Sequence, residues 1–196
     1  MRRGATVLEI LVGLAVFALL TALITGVFIL SQRYTRVSQQ VSRGQREAAQ
    51  CMQAFYTEVK RSNSQTYRPV AAVNQTWFLS NRPPDTDGQV AVFDSKGEIL
   101  WQKWVAIWCE SDGNVYRSER TLQGGAMVFG DIDLSTEPSS LSMFSSLPKR
   151  QRLSGAIRRF QVGLEEHVVS IDLDSETSNS GTPPTRYHMT SSFLVP

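Results

Sequence analysis

Residues 10–30 carry no charged side chain, and Glu9 stands immediately before them. As a helix this run measures about 31 Å, close to the hydrocarbon thickness of a bilayer. It is longer than the h-region of a cleaved secretory signal, about 7–15 residues. Any fold open to this chain must therefore give an apolar, membrane-length helix lipid or partner helices to lie against. An ionised carboxylate at membrane depth costs about 2.5–3.5 kcal/mol on insertion scales, so Glu9 reads as a functional residue that needs a cation. No Lys or Arg occurs between Arg3 and Arg33. An α-amine freed by cutting after Gly4 is the cation that the local sequence could provide.

A leader containing Arg2 and Arg3 ends at Gly4, and Ala5, Thr6, Val7 and Leu8 lead to Glu9. This spacing resembles the class III signal of type IV pilins and type II secretion pseudopilins. The resemblance implies that a prepilin peptidase cuts between Gly4 and Ala5 and methylates the Ala5 amine. Glu9 then becomes the fifth residue of the mature chain. It pairs with an Ala5 ammonium, its own or that of an adjacent subunit. Ala5 departs from the Phe usual at that position of the family.

No proline occurs before Pro69, so nothing sterically forbids one helix from Ala5 to about Ser62, roughly 87 Å long. Val37, Val41, Ala48, Met52, Phe55 and Val59 recur at helical spacing beyond the apolar run. Gly44 falls on that stripe, where it weakens the helix but permits close approach. Gly26 stands near the middle of the apolar part and costs about 1 kcal/mol relative to Ala.

After Pro69 short alternating apolar segments separated by turn residues read as antiparallel sheet. Strands are expected around Trp77, at residues 90–93 and 99–109, from Val115, and around Phe160, Ile171 and Met189. Residues 82–88 and 175–185 read as loops, and residues 135–152 as a long polar stretch. Trp101 and Trp104, three apart, are expected on opposite faces of one strand, with one set in the helix-facing core and the other available to a neighbour. The fold class is α+β, pilin-like: a long N-terminal helix with antiparallel sheet on its second half. The expected segments are leader 1–4, apolar assembly helix 5–30, amphipathic extension and linker 31–68, and head 69–196. The Trp-rich strand, the hairpin into Tyr116, the segment from Leu153 to Val162 and the closing strands resemble the J-type minor pseudopilins and related minor pilins.

Without Arg2 and Arg3 the basic and acidic residues balance at 18 each, so net charge gives no argument for nucleic acid. Lys149, Arg150, Arg152, Arg158 and Arg159 form the densest basic stretch, which a solvated loop and strand edge explain more cheaply than DNA contact. His167 and His188 have no metal-ligand spacing, and no phosphate loop or nucleophile elbow is present. Asp85 to Gly88 lacks the acid that closes an EF-hand loop, and Asp172, Asp174 and Glu176 read as a strand's solvent face. No catalysis, cofactor or metal is expected. Cys51 and Cys109, the two cysteines, can form one disulfide in an exported domain or remain small buried residues. Arg33, Arg36, Arg43 and Arg46 crowd the far flank of the apolar run, against the charge rule for an exported head.

The resemblance implies a minor pilin or minor pseudopilin in the initiating tip complex of a type IV pilus or type II secretion pseudopilus. Its partners would be membrane lipid, other subunits, the prepilin peptidase and the inner-membrane assembly platform. The helix would sit in the inner membrane with the head in the periplasm. The alternative is a monomeric, membrane-anchored periplasmic binding or adaptor domain that keeps residues 1–4.

Overall fold

The computed structural model describes residues 6–62, 64–66, 68–69, 74–82, 92–133, 138–148, 150–177 and 184–195. Arg2, Arg3, Gly4, Ala5, Lys149, the expected strand start at Val90 and most of the two expected loops lie outside the described residues. The chain divides into two compact units, residues 1–40 and 41–196. Within the first, every residue from Val7 onward is helical. The second holds the end of that helix and all of the sheet.

Helix α1 runs Val7–Val59 without a break, including at Gly26. It closes through tightened bonds, Arg61 N–H to Glu58 O at 3.0 Å and Ser62 N–H to Val59 O at 3.0 Å. The Ser62 hydroxyl donates to Val59 O at 2.7 Å, so carbonyls left over by the last turn are satisfied.

The strands are β1 (Arg68–Pro69), β2 (Gln75–Ser80), β3 (Leu100–Trp101), β4 (Lys103–Cys109), β5 (Val115–Thr121), β6 (Met127–Val128), β7 (Arg150–Ser154), β8 (Ile157–Glu165), β9 (Val168–Thr177) and β10 (Thr185–Leu194). A short helix α2, Ser142–Ser145, lies between β6 and β7. Strands β1-β2-β4-β5-β7 form one antiparallel sheet and β10-β9-β8 another, with β3 and β6 paired separately. This is the expected α+β arrangement, with antiparallel sheet packed on the second half of the long helix.

Asn74 stitches the two larger sheets together. Its N–H donates to Phe160 O at 3.1 Å, its side-chain oxygen accepts from Phe160 N–H at 2.9 Å, and its carbonyl accepts from Cys109 N–H at 2.8 Å. The residue has φ +78°, a left-handed conformation that Asn tolerates better than most side chains. At the β4–β5 hairpin Gly113 has φ +81°, and an added Cβ would meet Ile157 O at 3.1 Å. Glycine is required there on both counts.

The helix-facing core gathers Cys51, Met52, Phe55 and Val59 with Phe78, Val105, Ile107, Phe160, Val169, Ile171 and Leu173. Phe55 meets Phe78 and Phe160 edge-on, at centroid distances of 6.2 and 5.9 Å. Such pairs add about 0.5–1.5 kcal/mol to the area they bury. Gly44 is buried against β9: Ser175 Oγ donates to Gly44 O at 3.2 Å, and a Cβ on Gly44 would lie 3.2 Å from that oxygen. The close approach read from the stripe is therefore present.

The tryptophans depart from the sequence reading. Trp77, Trp101, Trp104 and Trp108 are all buried in one cluster, on the sheet face turned away from α1. Phe144 of α2, Leu122 and Ile132 complete that cluster. The strand expected at 99–109 is interrupted at Gln102, and the break resets the alternation that would separate Trp101 from Trp104. Residues 138–148, read as part of a polar stretch, include the lid of this second core, with Phe144 fully buried.

Candidate functional site

The first turn of α1 places Glu9 beside Thr6. The Thr6 backbone N–H donates to Glu9 Oε2 at 2.9 Å, the Thr6 hydroxyl lies 3.2 Å from the same oxygen, and the Glu9 N–H donates to Thr6 Oγ1 at 3.3 Å. This reciprocal arrangement is a capping box, in which an N-cap hydroxyl and an acid three residues on satisfy two orphan donors. The helix then opens with Ile10 N–H to Thr6 O at 3.3 Å. Glu9 Oε1 makes no hydrogen bond with a described residue. The Thr6-x-x-Glu9 spacing is itself a local signature of a helix start, and it gives Glu9 a partner within its own turn.

Beyond Glu9 the large apolar side chains point outward along the whole run; Ile24 is 70 % exposed and Leu30 66 %. The helix is long and apolar enough to cross a membrane, and none of that apolar window is buried within the protein. Its hydroxyls are satisfied within the helix: Thr21 donates to Phe17 O and Thr25 to Thr21 O, each at 2.8 Å. No hydroxyl donor of these threonines would enter hydrocarbon unpaired.

The head carries its own concentration of charge on the helix side of β4 and β5. Lys103 Nζ lies 2.6 Å from Glu119 Oε2, Arg117 binds both Glu119 and Glu58 (2.7 Å to Glu58 Oε1), and Arg82 reaches the same Glu58 oxygen at 3.3 Å. Burial strips hydration from the Lys103 ammonium and lowers its pKa, which the Glu119 bond only partly restores. Burial also opposes ionisation of Glu119, but the Lys103 hydrogen bond and the Arg117 and Lys103 charges outweigh it and hold its pKa below the ordinary value. Lys103 is 1 % exposed and Glu119 23 %, so the lysine loses more hydration than the acid. The cluster ties the end of α1 to the sheet.

Cys51 and Cys109 share the helix-facing core but are free thiols, so the bridge the sequence allowed is not formed. Cys109 Sγ contacts the carbonyls of Glu110 and Ile157, each at 3.5 Å. Burial pushes the Cys51 thiol up to about 12 and Cys109 up to about 11. Each sulfur behaves as a small packed hydrophobe.

Asp172, Asp174 and Glu176 do form the outer face of β9, between buried Ile171, Leu173 and Ser175. They engage Thr190 (2.6 Å), His188 (2.6 Å) and Arg186 (3.0 Å) across β10. His167 lies in the β8–β9 turn with Nδ1 3.0 Å from Ser64 Oγ. Among the described residues no three His, Cys, Asp or Glu side chains converge on a metal position. The basic stretch is split: Arg150 on β7 pairs with Glu110 at 2.9 Å and lies over the Tyr116 ring, whereas Arg158 on β8 pairs with Glu176 at 2.5 Å. No protein-family model, curated protein or solved structure matches the chain.

Proposed function

We propose that this protein is a minor pilin or minor pseudopilin, a structural subunit at the initiating tip of a type IV pilus or type II secretion pseudopilus. The observation that carries the reading is an acid, Glu9, held in the first turn of a membrane-length helix whose apolar surface is entirely outward. In this proposal lipid holds the helix in the inner membrane while the head folds in the periplasm. Assembly then exchanges lipid for the helices of other subunits. The Glu9 carboxylate pairs with a methylated Ala5 ammonium exposed by cleavage after Gly4. Pairing matters because removing one partner leaves the other charge dry and uncompensated, a loss of about 3–5 kcal/mol for buried pairs.

The capping box adds a step to this account. In the isolated subunit Glu9 Oε2 is occupied by Thr6, which gives the carboxylate two local donors before any partner arrives. The same box supports a second reading, a membrane-anchored periplasmic adaptor that never polymerises, because it gives Glu9 a purely local use. Intact mass of the membrane-extracted protein decides between them. An N-terminus at methylated Ala5 is expected for the subunit, and retention of residues 1–4 would establish the anchor. In a subunit, Glu9→Val should insert normally but fail to enter the filament; normal incorporation would defeat the pairing.

A further inference from the structure

Arg33 and Arg36 lie three residues apart on α1, both exposed, and Tyr34 between them is 79 % exposed. Residues three apart on a helix are surface neighbours, about 5–6 Å between Cβ atoms, so the two guanidinium groups repel unless an anion joins them. Among the described residues none provides that anion. No Asp or Glu occurs between Glu9 and Glu47, and neither arginine makes an ion pair among the described residues. Their height is also defined. With the apolar run ending at Leu30, Arg33 and Arg36 stand about 4.5 and 9 Å beyond it at 1.5 Å per residue. The headgroup layer adds about 5–7 Å per side, so Arg33 stands within it and Arg36 just outside, from where its long side chain leans back to a headgroup; an exposed Tyr belongs to that layer.

We infer that Arg33 and Arg36, flanked by Tyr34, bind the phosphodiester headgroup of an anionic phospholipid on the head-domain side of the membrane. The inference rests on the membrane-anchored part of the proposed function, not on filament assembly. Arginine suits the role because its planar fork makes paired hydrogen bonds to phosphate oxygens. The site also gives a counter-charge to arginines that stand on the flank where the charge rule opposes them. Arg43 and Arg46 are exposed and also make no ion pair among the described residues, but they lie at least seven residues further along the chain than Arg36, beyond the reach of a headgroup.

The test uses the full chain in nanodiscs of phosphatidylcholine with a minor share of phosphatidylglycerol, after vesicle flotation has established insertion. Wild-type protein should retain phosphatidylglycerol above its bulk share. Arg33→Gln/Arg36→Gln should lower that enrichment by about five-fold per arginine. Arg43→Gln/Arg46→Gln removes equal charge and should leave it intact. Equal loss from both pairs, or no enrichment by the wild type, overturns the site. Displacement by inorganic phosphate alone would make it a free-anion site and overturn the lipid assignment. Loss of cross-linking to neighbouring subunits in Arg33→Gln/Arg36→Gln, with lipid retention unchanged, would assign the pair to a partner carboxylate and overturn it too. Failure to float defeats the membrane anchor itself, whereas insertion without enrichment defeats only the lipid site.

Discussion

Lys103 and Glu119 meet at 2.6 Å across β4 and β5, with the lysine side chain 1 % exposed on the face covered by α1. At 1 % exposed against 23 % for Glu119, the lysine loses more hydration than its acid and depends more on the pair. Glu119→Gln should therefore destabilise the head by about 3 kcal/mol, and Lys103→Met by clearly less. The double variant should be less destabilised than the sum of the two. Urea unfolding of the full chain in detergent, followed by tryptophan fluorescence, reads all three.

The same acid gives the head an acid-sensitive limb. Glu119 has a folded-state pKa below its usual 4.5. Its contribution is complete above the unfolded value and is lost as pH falls through the folded one. Stability should decline below about pH 4.5, and the decline should be shallower in Glu119→Gln; unfolding midpoints between pH 3 and 6 measure it. Lys103, whose pKa is also lowered, gives a slope of the same sign in its own range: stability should rise as pH passes from its folded to its unfolded value.

Thiol chemistry should follow burial. A free cysteine titrates near 8.5, so thiols at about 12 and about 11 present almost no thiolate at neutral pH. Native protein should alkylate slowly at Cys109, and at Cys51 only after unfolding. Denatured protein should titrate two thiols without reductant; finding none would show a disulfide.

At the start of α1, Thr6→Ala removes the hydroxyl partner of Glu9, at an expected cost of about 1 kcal/mol confined to the first turn. Amide exchange at residues 8–10 should accelerate while that of the head stays unchanged. Thr6→Ser should restore protection, because the hydroxyl is what caps.

Gly44→Ala tests the packing of α1 on β9. Ala gains about 1 kcal/mol of helix propensity, but its Cβ would press on Ser175 Oγ at 3.2 Å and disturb the bond to Gly44 O. A net loss is expected in the urea midpoint, turning to a gain when Ser175→Ala is added.

Where one face of an element is buried, the residue pattern was enough to place it. Ala48, Met52, Phe55 and Val59 are a buried helical stripe, and Val169, Ile171 and Leu173 a buried strand face. The membrane-length helix and the acid at its mouth were equally plain. The capping role of Glu9 is also written locally, in the spacing Thr6-x-x-Glu9.

The rest depends on chain segments far apart in sequence. Glu58 meets Arg117 across 59 positions, and neither residue signals the other in its own neighbourhood. One irregular residue, Gln102, brings Trp101 into register with Trp104 on a single face, because a period of two survives only while the strand is continuous. Phe144 finds its core only once β2 and β4 have presented the tryptophans it covers. Sequence alone determined where the apolar surface begins and which faces of α1 and β9 turn inward, since local periodicity fixes those. Tertiary structure decided which buried charges pair and which side of the sheet the tryptophans fill, since both require surfaces that exist only after distant strands have come together.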